Sequence, residues 1–256
     1  MVFSSLLFLF RFLPIMLVVY YCTPRRFRNA VLFGGSLVFY AWGEPIYVFL
    51  LIFTTFINYV AGLFIEGAQR KRRNSRLIVA IMLIINLGLL GLFKYSDFIV
   101  LNINRLFSLN IASPNITLPI GISFYTFQTI SYIMDCYWGK VKAQRNFGKF
   151  LMYISLFPQL IAGPIVRYHT VANEIDHRTT SASDVSKGIT RMIIGLAKKV
   201  ILANNLSVLV EGVFGGGTSI AGLTVLGTWY GAMMFALQVY FDFSGYSDIA
   251  IGLGLV

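Results

Sequence analysis

The stretch FPQLIAGPIVRYH (157–169) interrupts a chain that otherwise consists largely of apolar runs of membrane-spanning length. It contains Pro158, Gln159, Gly163, Pro164 and Arg167. Proline removes a backbone donor and breaks the hydrogen-bond pattern of a helix, and lipid offers no partner to the backbone groups that are freed. Such a segment is stable only where protein or a water-filled cavity satisfies those groups. It therefore predicts a broken helix and marks a candidate site.

The composition predicts a membrane protein. Hydrophobic residues make up 57% of the chain, the mean hydropathy is +0.74, and only 12% of the residues are charged, against about 25% in soluble domains. At about 20 apolar residues per span, this length could supply about eight spans. We predict an all-α, polytopic helical bundle in a single membrane domain, 1–256. The net charge of +11 is clustered between apolar runs, as in cytoplasmic loops, which excludes nucleic acid as a partner.

The basic clusters divide the first part of the chain into spans. The opening run, 2–22, lacks a basic start and a small-residue cleavage site, so we predict an uncleaved span. Basic residues at 25–28 and 70–76 flank the apolar block 29–66, which predicts a hairpin with its turn at Gly43-Glu44-Pro45. Its first arm, about 14 residues long, is shorter than the usual span of about 20.

Later segments extend this pattern. We predict a span at 77–93 that ends at Lys94, then a polar extracytoplasmic loop at 96–117, and a return span at 119–138. The run 150–166 has cations on both sides and predicts re-entry from the cytoplasmic face. Segment 187–204 carries a basic stripe that indicates an interfacial helix. The run 223–241 predicts a further span, and 249–256 is too short to cross.

Several motifs together resemble a known family. They are YAWGEP (40–45), PIGISFYTFQTISYIMD (119–135), FPQLIAGPIVRY (157–168), GLAKKVILANNL (195–206) and YFDFSGYSDIAIGLG (240–254). With these motifs the chain resembles the bacterial branch of the membrane-bound O-acyltransferases. The nearest relatives in that branch are membrane subunits that O-acetylate alginate and similar exopolysaccharides, and D-alanyl lipoteichoic acid transferases are more distant.

The resemblance implies a multi-pass protein of the bacterial inner membrane, with helices around a funnel. An acyl thioester such as acetyl-CoA would enter from the cytoplasmic side, and a polysaccharide hydroxyl would accept the acyl group outside, with a periplasmic or extracellular partner protein. In this family the reacting histidine lies in a WRRWH-like stretch downstream of FDFSGYSD, and residues 1–256 do not contain it. We therefore expect this chain alone to be inactive. A scaffold subunit and a transporter remain alternatives.

The candidate residues for the donor site or funnel lie in two of these motifs. They are Pro158, Gln159, Gly163, Pro164, Arg167, Asp242, Ser244, Tyr246 and Asp248. Arg167 could hold a phosphate or a thioester carbonyl, or it could be a flanking cytoplasmic cation. Asp242 adjoins a span and needs a cationic partner, for which Arg191, Lys198 and Lys199 are available; a direct role in chemistry is the alternative.

No catalytic residue or metal ligand is assigned from the sequence. His169 and His177 follow the broken segment, where we interpret both as solvated loop histidines. Cys22 and Cys136 show no metal-type spacing.

Overall fold

The computed structural model describes residues 5–160, 163, 165–176, 178, 180–215 and 222–256. Within these ranges every regular element is helical, which confirms the all-α prediction. The elements, after a π-helical turn at Phe8–Phe12, are α1 (Leu13–Cys22), α2 (Arg28–Gly43), α3 (Tyr47–Arg70), α4 (Arg76–Phe107), α5 (Ile122–Tyr137), α6 (Phe147–Ser155), α7 (Phe157–Leu160), α8 (Tyr168–Asp176), α9 (Ala182–Ala197), a π-helical segment (Lys198–Ala203), α10 (Asn204–Phe214) and α11 (Val225–Leu255).

The helices form two compact units. The first unit holds the segment from α9 to α11, together with Gly163 and the residues up to Ile15. The second unit holds α2 to α8 and the end of α1. The single membrane domain stays a prediction.

Among the described residues, three helices are long and apolar enough to cross a membrane: Tyr47–Arg70, Arg76–Phe107 and the continuous helix Ala182–Phe214. At 1.5 Å per residue, the 24 residues of α3 span about 36 Å, more than the hydrocarbon thickness of about 30 Å. Helix α11 is similarly long, with 31 residues, but Gln238, Asp242 and Asp248 make it less apolar.

Helices α2 and α3 form the two arms predicted for the block 29–66, and its crossing of the membrane stays a prediction. Helix α2 ends at Gly43 and α3 begins at Tyr47, so the turn falls on Glu44 and Pro45. The Glu44 N–H donates to the Tyr40 carbonyl at 2.9 Å and closes the last turn of α2. The first arm is short as predicted, with 16 residues, or about 24 Å of helix.

Three helices extend beyond the apolar runs from which they were predicted. Helix α4 continues past Lys94 to Phe107, because residues 95–107 contain no proline or glycine to break it. The proposed interfacial helix at 187–204 is the middle of the 33-residue helix Ala182–Phe214, in which Arg191 and Lys198 pair with Asp248. The run 249–256 is part of α11, which continues to Leu255.

An aromatic cluster forms the centre of the second unit. The Tyr132 ring lies 4.4 Å from the Phe150 ring and 5.2 Å from the Tyr168 ring, measured between centroids. Tyr153 contacts the other side of Tyr168, also at 5.2 Å. All four side chains are buried, so α5, α6 and α8 are joined through one contiguous core.

Two buried asparagines join α3 and α4 in the second unit. Asn58 on α3 and Asn86 on α4 donate to each other's side-chain oxygens, at 3.0 and 2.9 Å. Each amide also donates to a carbonyl four residues earlier in its own helix. The pair therefore satisfies its polar groups within protein, as the interior of a membrane helix bundle requires.

Asn86→Leu is expected to lower the free energy of unfolding by about 1–2 kcal/mol, because it leaves the Asn58 amide without its partner. Thermal unfolding of detergent-solubilised protein measures this loss. The double substitution Asn58→Leu with Asn86→Leu should recover part of it, since no unpaired amide remains. Asn102→Leu on the exposed part of α4 is the matched control, because that side chain bonds only to Phe98 of its own helix. An equal loss in the control would contradict the prediction.

Candidate functional site

Two pairs of glycines bring α9 and α11 into backbone contact in the first unit. A Cβ atom on Gly188 would lie 2.7 Å from the Gly252 carbonyl oxygen, and one on Gly195 would lie 2.5 Å from the Gly245 carbonyl oxygen. The two pairs run in opposite directions along the chain, so the helices are antiparallel. We call this contact the glycine seam. Any side chain at these positions would force the backbones apart.

Charged side chains lie beside the glycine seam. Asp248 accepts from Arg191 at 3.0 Å and from Lys198 at 2.6 Å, and Lys198 also donates to the Ser244 hydroxyl at 3.0 Å. Lys199 forms a separate ion pair with Asp242. The expected cationic partner of Asp242 is thus confirmed as Lys199. Three cations face two carboxylates, which leaves this cluster with one excess positive charge.

The long helix Ala182–Phe214, which supplies these cations, changes from α-helical to π-helical at Lys198. Lys198 is the first residue of the π-helical segment Lys198–Ala203, which lies between α9 and α10. A π-helical turn widens the helix, and such turns are frequent at functional sites. Here the widened turn carries Lys198 and Lys199 to the level of Ser244 and Asp242 on α11.

The first unit also brings Gly163 to α11. Gly163 has φ +108°, a conformation that favours glycine, and a Cβ atom there would lie 3.2 Å from the Tyr246 ring. Two of the predicted candidates are therefore neighbours. Pro164, the adjacent candidate, lies outside the described residues.

The broken segment has the protein partners that the sequence predicts for it. The Phe157 N–H at the break donates to the Ser36 hydroxyl of α2 at 3.2 Å. The carbonyl of Tyr153 accepts from the buried Gln159 amide, and the hydroxyl of Tyr153 donates to the Val166 carbonyl at 2.7 Å. These contacts give protein partners to the polar groups around the break at Leu156.

The remaining candidates of this segment are less enclosed. Pro158 is half-buried at the start of the single-turn helix α7. Arg167 is exposed, and its carbonyl accepts from the N–H and hydroxyl of Thr170, at 3.1 and 2.7 Å, at the start of α8. The Arg167 guanidinium has no acidic partner among the described residues, so it is available to an anionic ligand.

His169 differs from the sequence interpretation. It lies in α8 rather than in a solvated loop, and its Nδ1 is 3.3 Å from Oδ2 of Asp135 on α5. The Asp135 side chain is 3% exposed and that of His169 is 39% exposed, so a buried carboxylate orients a half-exposed imidazole. Asp135 was not among the candidates, because no spacing rule links residues 34 positions apart. His177 lies outside the described residues.

The described residues bring charged side chains together around Asp248, and no set of catalytic groups is assembled among them. No group of three His, Cys, Asp or Glu side chains capable of holding a metal occurs in the described ranges. The cluster around Asp248 can bind or orient an anion through its excess cation. The roles of the nine candidate residues stay predictions.

Comparison with known proteins gives matches along the whole chain. The chain is 40% identical to "Probable alginate O-acetylase AlgI" of Azotobacter vinelandii over 260 residues, which are 100% of this chain and 51% of the relative. Its identity to the protein of the same name in Pseudomonas aeruginosa is 41%, over 100% of this chain and 49% of the relative. The chain is 32% identical to the peptidoglycan O-acetyltransferase of Helicobacter pylori, over 100% of this chain and 54% of the relative.

The chain thus spans about half the length of the curated relatives that it matches. No protein-family model matches it. The relatives and the apolar helices both indicate a membrane protein. By homology along its full length, the chain belongs to the membrane-bound O-acyltransferase family, in the branch of the alginate and peptidoglycan O-acetylases.

Proposed function

We propose that this chain is part of a membrane-bound O-acetyltransferase that transfers an acetyl group from a thioester donor to hydroxyl groups of a cell-surface polysaccharide. The observation that carries the proposal is the full-chain similarity to proteins named for O-acetylation of two different polysaccharides. The identity is 41% to the alginate O-acetylase and 32% to the peptidoglycan O-acetyltransferase. This difference favours an alginate-like acceptor.

The proposed location is the bacterial inner membrane, which the chain crosses several times. In the second unit the Gln69 amide donates to the carbonyls of Cys136 and Tyr137, so the basic loops 70–76 and 138–149 lie at the same end. The positive-inside rule makes that end cytoplasmic. The polar loop 108–121 lies at the other end and faces the acceptor, where we propose that a periplasmic or extracellular partner protein assists the transfer.

The proposed reaction joins the acceptor oxygen to the acetyl carbon. A sugar hydroxyl loses its proton to a base and attacks the thioester carbonyl, the new C–O bond forms, and the C–S bond breaks. The thiolate of the donor, which we propose is acetyl-CoA or another acyl thioester, leaves and takes up a proton. The family resemblance assigns the base to a histidine outside residues 1–256, so the role left to this chain is to bind and orient the donor.

Arg167 is the residue that we propose for donor binding. It is exposed, it lies near the end of the broken segment, and its guanidinium has no acidic partner in the described ranges. A guanidinium binds phosphate through two parallel hydrogen bonds. In the complete protein, Arg167→Ala should raise the KM for acetyl-CoA about tenfold, the equivalent of about 1.4 kcal/mol.

Arg26→Ala is the matched control for Arg167. Arg26 is also exposed, but it lies in the short 3₁₀ turn before α2 and outside the broken segment. The KM for acetyl-CoA should stay within twofold of the parent value in this variant. A normal KM in Arg167→Ala, or an equal increase in both variants, would refute donor binding by Arg167.

The proposed function is tested by following radiolabelled acetyl groups. Membranes that contain the complete protein should transfer label from acetyl-CoA to alginate, and a 256-residue version should transfer none. Label that appears on peptidoglycan in place of alginate would correct the acceptor. No transfer by the complete protein to either polysaccharide, with the proposed partner protein present, would overturn the proposal.

A further inference from the structure

Two loops of the second unit carry a dense positive charge. They are residues 66–76, from the end of α3 to the start of α4, and residues 138–149, from the end of α5 to the start of α6, and we call them together the basic face. Its cations are Arg70, Lys71, Arg72, Arg73, Arg76, Lys140, Lys142, Arg145 and Lys149. Glu66 is the one acid in these two segments. The basic face therefore has a large excess of positive charge.

Side chains from α3 hold the two loops together. Glu66 accepts from Arg70 at 2.6 Å, from Arg145 at 3.2 Å and from the Ala143 N–H at 2.8 Å. Gln69 binds the end of α5 through the carbonyls of Cys136 and Tyr137, at 3.2 and 2.6 Å. The cations of both loops are thus displayed on one supported surface rather than on two independent loops.

Several of these cations have no acid to neutralise them. Arg70 and Arg145 are bound to Glu66. The others that are exposed and unpaired with any acid in the described part of the chain are Lys71, Arg72, Arg73, Arg76, Lys140 and Lys142. Like charges repel, so a surface of this kind is stabilised by anions from outside the chain.

Arg72 has a backbone conformation that favours glycine, and an arginine at such a position is an independent indication that positive charge is favoured there. The Arg73 N–H donates to the Ala68 carbonyl at 2.8 Å, and the Arg72 N–H donates to the Gln69 carbonyl at 3.0 Å. These two bonds form a Schellman motif, whose left-handed position is most often glycine. Arg72 occupies that position with φ 51°. An arginine therefore stands where glycine would relieve backbone strain.

The depth of the basic face matches lipid headgroups. Helix α3 is longer than the hydrocarbon is thick, so its end at Arg70 reaches the interface. Trp138 is 58% exposed, and the Lys140 ammonium lies 4.7 Å from the centre of its ring. Tryptophan and lysine in contact are typical of the membrane–water interface.

We propose that the basic face binds the headgroup phosphates of anionic phospholipids, with Arg72, Arg73 and Lys142 as the principal contacts. Clusters of four to eight basic residues beside a membrane helix attract anionic lipids. This binding is separate from the transfer reaction and does not depend on the proposed function.

The test is native mass spectrometry of the complete, purified protein titrated with phosphatidylglycerol and, separately, with phosphatidylcholine of the same acyl chains. Phosphatidylglycerol should bind more tightly. Arg72→Gly should weaken its binding about fivefold while raising the unfolding temperature, because glycine suits the left-handed position. Weaker binding in a variant that is more stable than the parent would show that Arg72 contacts lipid, because a defect in folding would lower the stability.

The triple substitution Lys71→Gln, Arg73→Gln and Lys142→Gln should remove most of the preference for phosphatidylglycerol. Its matched control is Lys94→Gln with Arg105→Gln, which removes cations from the other end of α4 and should leave the preference intact. The proposal is wrong if the control loses as much binding as the triple variant, or if Arg72→Gly binds phosphatidylglycerol normally. It is also wrong if acetyl-CoA or inorganic phosphate binds the basic face and phosphatidylglycerol does not.

Discussion

Gly195→Val is expected to abolish the folded form of the first unit, with a loss of at least about 3 kcal/mol in the free energy of unfolding. The new Cβ atom would lie 2.5 Å from the Gly245 carbonyl oxygen and 2.9 Å from the Ile249 nitrogen. Both neighbours are backbone atoms of α11, so no side chain can rotate away to make room. The fraction of monodisperse protein after size-exclusion chromatography, and the unfolding temperature, measure the loss.

Gly212→Val is the control for this substitution. Gly212 lies in the same long helix, and a Cβ atom there has no neighbour within 4 Å. Valine has a higher helix propensity than glycine, so this variant should be as stable as the parent or slightly more so. Normal folding of Gly195→Val would show that α9 and α11 do not approach as closely as the glycine seam requires.

Asp248→Ala is expected to cause the second large loss, about 3 kcal/mol. Asp248 is the shared partner of Arg191 and Lys198, so its removal leaves two cations without a carboxylate next to apolar helix surface. Arg191 is 44% exposed and can be solvated in part, whereas Lys198 is 31% exposed. Urea or thermal unfolding in detergent measures the effect.

Adding Lys198→Leu to Asp248→Ala should recover a large part of the lost stability, because the less exposed cation is then absent. Similarly, Asp242→Lys alone should reduce expression, and exchange of the pair, Asp242→Lys with Lys199→Asp, should restore it. If neither double variant restores stability or expression, the prediction that Asp242 and Asp248 stabilise the fold by neutralising cations is wrong.

The sequence predicts the parts of the fold that local chemistry determines. Gly43-Glu44-Pro45 ends one helix and starts the next, because proline cannot continue a helix, and the hairpin follows. The extent of α4 could not be predicted in the same way. Hydropathy indicates which residues lipid can surround, and it does not report where a helix ends, as the continuation of α4 from Lys94 to Phe107 demonstrates.

The contacts of the candidate site were likewise predictable only where local chemistry determines them. A carboxylate beside a span needs a cation, so an ion pair of Asp242 could be predicted, but the choice of Lys199 depends on how α9 and α11 are aligned. The contact between Asp135 and His169 depends on the packing of α8 against α5. No periodic pattern connects those two residues, so only the three-dimensional structure reveals the pair.

The spacing of the glycine seam leaves an ambiguity in helix register that the ion pairs resolve. Gly188 and Gly195 are seven residues apart, as are Gly245 and Gly252, so a slide of one heptad would still match one glycine with another.

Such a slide would bring Asp242 opposite Met192 or Leu206 in place of Lys199. An unpaired carboxylate against an apolar side chain is costly, so the slipped alignments are disfavoured even where the backbones still fit. The Lys199–Asp242 pair can therefore add little to the net stability of the correct alignment and still select it over its neighbours.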